Sequence, residues 1–154
     1  PNSKILEFTI NVGITVRGIG SLMWGKENEI IKEEECLIRK RPKDFGLLTD
    51  IWTYSSQDNL EILIINLKMF LEQKIIRYLN DIKTIGDLDN EFNKLTDKKS
   101  LKYNYPDNWI RYACIKSING ETNASIEILE KISTDKVWGE KAIETLSRIK
   151  VISN

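Results

Sequence analysis

The sequence predicts an α+β fold: a small antiparallel sheet packed on a long central helix, with a C-terminal cluster of short helices. Three observations carry this. Residues 5–16 set Leu6, Phe8, Ile10, Val12, Ile14 and Val16 against Glu7, Thr9, Asn11, Gly13 and Thr15, the period-two pattern of a strand with one face on a core. Residues 58–79 are dense in Leu and Ile and free of Gly and Pro, the pattern of one long helix. From residue 104 onward, three short apolar stretches at three-and-four spacing are separated by turn residues, as in short amphipathic helices.

The first strand, by its length, is expected to be central in the sheet. Gly18, Gly20 and Gly25 loosen the next stretch, so residues 17–34 read as loop with a short helix. Glu35 to Arg41 alternates again, with Cys36 and Ile38 on one side and Leu37 and Arg39 on the other, and Pro42 closes it as an edge strand. Aromatic and β-branched residues in 45–54 give a third strand, before Ser55, Ser56, Gln57 and Asp58 supply turn and helix-cap chemistry.

In the long helix, Leu60, Leu63, Ile64, Leu67, Phe70 or Leu71, Lys74 and Tyr78 follow one face, and Ile62, Ile65, Met69 and Ile76 load a second. A helix apolar on two sides must be covered on two sides. The sheet is expected to cover one and the C-terminal helices the other, with Ile64 fully buried. Beyond it, Asp87 caps a short helix carrying Leu88, Phe92 and Leu95, followed by a polar stretch over 96–102. The C-terminal helices carry Trp109, Tyr112, Ala113 and Ile115 or Lys116, ended by Asn119-Gly120; then Ala124, Ile128, Leu129 and Ile132; then Val137, Trp138, Ala142, Ile143, Leu146 and Ile149.

A chain of 154 residues is the size of one domain, so residues 1–154 are expected to form a single α+β domain with a helical subregion at 104–154. It begins at Pro1 rather than Met, and an N-terminal part is expected to precede it. With 23 basic and 23 acidic residues, no net charge draws it toward nucleic acid or anionic lipid. Its apolar runs carry too many charges to span a bilayer; residues 60–79 alone include Glu61, Lys68, Glu72, Lys74 and Arg77. Cys36 and Cys114 lack any spacing motif and read as structural thiols, both buried, of a protein in the reducing cytoplasm.

The absence of histidine removes the commonest general base and zinc ligand together. No catalytic set, metal site or cofactor motif stands out: Gly18-Ile19-Gly20 lacks the third glycine of a dinucleotide turn, and Asp87, Asp89 and Glu91 lack the glycine and closing glutamate of a calcium loop. Asn123-Ala124-Ser125 matches a glycosylation sequon, which matters only in a secreted eukaryotic protein. The densest basic cluster, Arg39, Lys40, Arg41 and Lys43, lies near Phe45, Trp52 and Tyr54. Arg with Trp and Tyr is the composition of protein-interface anchors. Arg39, Arg41, Trp52 and Tyr54 are therefore the candidate interaction surface.

Residues 8–14 (Phe8 to Ile14), the stretch Glu35 to Arg41, and Asp50-Ile51-Trp52 entering the long helix together resemble the bacterial family known as domain of unknown function 4304. The resemblance covers the first half of the chain. It implies a small α+β protein, in which a helix and two strands precede the strand that begins here, and it implies no reaction. Thr53 stands where a second aromatic is expected after the tryptophan. Some members belong to phage-derived regions, which suits an interaction protein. The leading expectation is a non-enzymatic bacterial, phage-related or immunity-type module with a protein partner, as monomer or dimer. The alternatives are a histidine-free metal enzyme using carboxylates such as Glu33, Glu34, Glu35, Asp87, Asp89 and Asp107, and single-stranded nucleic-acid binding.

Overall fold

The computed structural model describes residues 5–26, 36–55, 57–97 and 106–152. The stretches 27–35 and 98–105, and with them Glu33, Glu34, Glu35 and most of the polar run 96–102, lie outside the described residues, as does the side chain of Leu95. The chain forms two compact units, and it passes between them more than once. The first takes residues 1–14 and 38–82, the second 15–37 and 83–154. The expected helical subregion falls within the second.

The first unit is α+β. The apolar alternation of residues 5–16 yields two short strands rather than one long one, β1 (Ile5–Phe8) and β2 (Val12–Ile14). They pair with different partners. β1 runs antiparallel to β4 (Trp52–Ser55), with Phe8 opposite Trp52 and Leu6 opposite Tyr54. β2 runs antiparallel to β3 (Ile38–Lys40), with Val12 opposite Lys40 and Ile14 opposite Ile38. The expected central strand is thus corrected: the sheet divides into two ribbons of two strands. The inward alternation survives the break, because Ile10 and Val12 both belong to the core. Between β3 and β4 a 3-10 turn (Pro42–Phe45) ends at Gly46, whose φ of 90° favours glycine.

One continuous helical run then spans 60–80: α2 (Leu60–Phe70), a π-helical turn (Leu71–Ile76) and α3 (Arg77–Asn80). Asn59, not Asp58, is its cap; its side-chain oxygen accepts from the N–H groups of Glu61 at 2.9 Å and Ile62 at 3.3 Å. Asp58 instead closes the preceding turn by accepting from the Ser55 N–H.

The π turn explains which residues are buried. At α-helical spacing Lys74 would follow Phe70 inward, but five-residue winding brings Ile75 into line instead. Phe70 and Ile75 are buried with Val12, and Ile10, Phe45, Leu47 and Trp52 pack against them. Ring contacts tie the bed together: Phe70 lies 5.9 Å from Phe45 and 5.8 Å from Trp52, and Phe45 lies 5.5 Å from Tyr78. The expectation for Ile64 is corrected. It is 55% exposed, because the ribbons and the 3-10 turn reach only the Leu63–Phe70 side of the helix.

The second unit is helical: α1 (Ile19–Trp24), α4 (Ile85–Asp97), α5 (Pro106–Ile118), α6 (Thr122–Ile132) and α7 (Gly139–Ile152). Here a helix is covered all round. Six consecutive residues of α5, Ile110 to Ile115, are buried, with α1, α4, α6 and α7 packed about them. Arg111 survives burial because its Nε donates to Asp107 at 3.0 Å. Thr84 and Asp87 cap α4 reciprocally: the Thr84 hydroxyl accepts from the Asp87 N–H and the Asp87 carboxylate from the Thr84 N–H. The carbonyls ending α1 accept from Arg148 and Lys141 of α7. Gly139 is required where α7 begins, since a Cβ there would stand 2.5 Å from the Ser133 carbonyl oxygen. Among the described residues no helix is long and apolar enough to cross a membrane.

Urea unfolding separates the two sides of the 60–80 helix. Ile75→Ala is expected to cost about 2–5 kcal/mol as a buried truncation, whereas Ile64→Ala and Lys68→Ala should each stay within about 1 kcal/mol. Equal costs for Ile75 and Ile64 would mean that the five-residue spacing is not the seam.

Candidate interaction surface

The basic cluster is divided by the pleat of β3. Arg39 points outward, opposite Gly13, and Arg41 follows on the same side; both are exposed. Lys40 turns the other way. Its ammonium sits 4.1 Å from the centre of the Tyr78 ring and 5.9 Å from that of Phe45, so it is drawn onto its own aromatic bed and covers it. The backbone N–H of Arg41 donates to Asp44 and that of Lys43 to Asp50.

Trp52 and Tyr54 share the other face of their strand, and both are half-buried. Trp52 faces the core, where its ring meets Phe70. The four residues that composition grouped together therefore do different work: two arginines face solvent, and Trp52 braces the helix.

The remaining surface of Trp52 opens into a groove. Leu47, Trp52, Asn66, Met69, Phe70, Gln73 and Lys74 line an open depression of about 330 Å³. Its wall is α2 and the π turn; its floor is the loop before β4 and the strand itself. Along the same face of α2, Ile62, Ile65 and Met69 lie at three- and four-residue spacing and are exposed. In all, eight apolar side chains of the 60–80 helix are exposed. They lie on more than one side of the helix: Ile62, Ile65 and Met69 adjoin the groove, while Leu60, Ile64 and Leu71 face away from it. The period of the sequence places Ile62, Ile65 and Met69 on one face; it carries no sign that the first unit leaves them uncovered.

The second unit holds its polar groups in internal pairs. The Lys116 ammonium donates to Asp89 at 2.8 Å and to Glu121 at 3.0 Å, and lies over the Tyr112 ring. Burial opposes the charged lysine, but the hydrogen bonds to Asp89 and Glu121 outweigh it and hold the pKa above the usual lysine range. The Tyr112 hydroxyl donates to Asn93 at 2.6 Å, and burial, with the Asp89 charge, raises its pKa. Asp87 caps a helix, Asp89 pairs with Lys116 and Asp107 with Arg111. Among the described residues no three Cys, Asp or Glu side chains gather as a metal site would require. The sequon falls in the first turns of α6, with Ser125 buried.

The two thiols differ. Cys114 is fully buried in α5, and burial pushes its pKa up to about 12. Cys36 is only half-buried, which corrects the expectation that both are enclosed. In the native protein a thiol reagent should modify Cys36 well before Cys114, with Cys114 reacting only in denaturant; native labelling of Cys114 would contradict its place in the core.

Acid should loosen the second unit. Glu121 is held below its ordinary value of 4.5 by Lys116 and then Asn119, and Glu144 by Lys141 and then Arg148. Asp87 is lowered from 3.8 by the Thr84 hydroxyl and the Lys83 and Thr84 N–H groups, Asp135 by the N–H groups of Trp138 and Val137. Each depressed carboxylate stabilises the fold above its unfolded pKa, and the contribution fades as pH falls through the folded one. The urea midpoint should be flat near neutrality and decline below about pH 4.5; an unchanged midpoint at pH 3 would show that these pairs contribute nothing.

Comparison of the chain with protein-family models, with curated proteins and with solved structures finds no match.

Proposed function

We propose that this chain is a non-enzymatic protein-interaction module of the bacterial cytoplasm, and that it engages its partner through the groove and the adjoining Ile62–Ile65–Met69 face of α2. The observation that carries the reading is the groove itself: an apolar depression floored by Trp52 and walled by an exposed helix face. Such a site takes one side of an amphipathic segment, whose apolar side chains leave water while polar neighbours stay at the rim. Asn66, Gln73 and Lys74 supply that rim, with donors and acceptors for a partner backbone. Arg39 and Arg41, exposed on the outward side of β3, are further candidate contacts. The internal pairing of Asp87, Asp89 and Asp107 is why carboxylate chemistry is not the preferred reading. The resemblance to domain of unknown function 4304 belongs to the same proposal, as a small contact protein from a phage-related setting.

The test is affinity capture from a bacterial extract with three forms of the chain: unaltered, Ile65→Asp with Met69→Asp, and Arg39→Glu with Arg41→Glu. Because Ile65 and Met69 are exposed, the fold should be retained, which circular dichroism checks. Bound partner should fall by tenfold or more in the Ile65/Met69 variant, as expected for central apolar contacts, and less in the arginine variant. A partner held equally by the Ile65/Met69 variant would remove the groove from the interface.

A further inference from the structure

We propose that two copies of this chain pair antiparallel along α2, through Leu60, Ile64, Leu67 and Leu71. This strip lies on the side of the helix away from the groove. Its spacing of four, three and four residues is that of a heptad seam. Leu60, Ile64 and Leu71 are 51%, 55% and 38% exposed, and Leu67 is half-buried.

The strip is its own complement. With a twofold axis between Ile65 and Asn66, Leu60 meets the partner's Leu71, and Ile64 meets the partner's Leu67. Every apolar position finds an apolar one under a single operation, as an isologous contact requires.

Charge selects the orientation. One edge of the strip carries Glu61 and, one heptad later, Lys68; the other edge carries Leu63 and Phe70, which turn toward the chain's own core. Antiparallel pairing sets like edges together, so Glu61 lies beside the partner's Lys68 at both ends. Parallel pairing would set Glu61 against an apolar edge. Lys68 is available for this exchange: its pair with Glu72 is 3.9 Å long, and both side chains are mostly exposed. A partner of unrelated sequence would need none of these symmetries. The strip spans three turns, about 16 Å, so the contact is small and the dimer concentration-dependent.

Sedimentation equilibrium of the whole chain over a dilution series tests this. The average mass should climb from monomer toward dimer with concentration, and Ile64→Lys should hold the chain monomeric. Glu61→Lys and Lys68→Glu should each weaken dimerisation by up to about tenfold. An equimolar mixture of those two variants should regain it, because both pairs are then of opposite sign. Monomer at every concentration overturns the proposal, as does a dimer indifferent to Ile64→Lys. A dimer lost in Ile64→Lys but unmoved by the charge variants overturns the antiparallel register. Should Ile64→Lys unfold, the mixture of charge variants decides alone.

Discussion

The seating of the 60–80 helix on its aromatic bed is the contact on which the first unit depends. Phe70 and Ile75 stand five residues apart, and both are buried against Val12, Phe45 and Trp52. An α-helix cannot present residues at that interval to one surface; the six-residue π winding does. The local cost is looser hydrogen bonding over one turn. In return Lys74 leaves the seam for the rim of the groove, and an isoleucine takes its place inside.

That seating covers only one side of the helix. The strands are three and four residues long and form two separate ribbons, too little sheet to wrap a helix apolar on several sides. α5 shows the contrast within the same chain. Four helices surround it, and six residues in succession lose their solvent. The second unit encloses its central helix, although Val137 and Ile143 stay exposed. The first leaves its long helix covered on one side only.

The helix at 60–80, the α+β composition and the outward placement of Arg39 and Arg41 are legible in the sequence, because each rests on a local period. Leu63, Leu67, Phe70 and Tyr78 are visible as one seam on the same grounds. What period cannot reveal is a change of winding: a count at about 3.6 residues per turn throughout puts Lys74 in the seam and leaves Ile75 out of it. The strand over 5–16 misleads for a related reason. Alternation reports which way side chains point, and it continues through Thr9, Ile10 and Asn11, but it carries no information about which neighbour each half will pair with. Trp52 illustrates the limit for the site. Composition places it among interface anchors, and only its distance to Phe70 shows that most of its work is internal, with one surface left to floor the groove.

Area alone does not set how tightly such a surface binds. Burying apolar surface is worth about 25 cal/mol per Å², while association costs on the order of 4–15 kcal/mol before any contact is counted. One helix face offers too little area to exceed that cost by much, so affinity in the proposed contact rests on how well a partner fills the depression beside Trp52 and Met69. Asn66, Gln73 and Lys74 at its edge are exposed and keep water where a partner leaves them unpaired, so they orient a partner more than they hold it. In the proposed contact the apolar face of α2 would supply the attraction, and the shape of the groove beside Trp52 would set what fits.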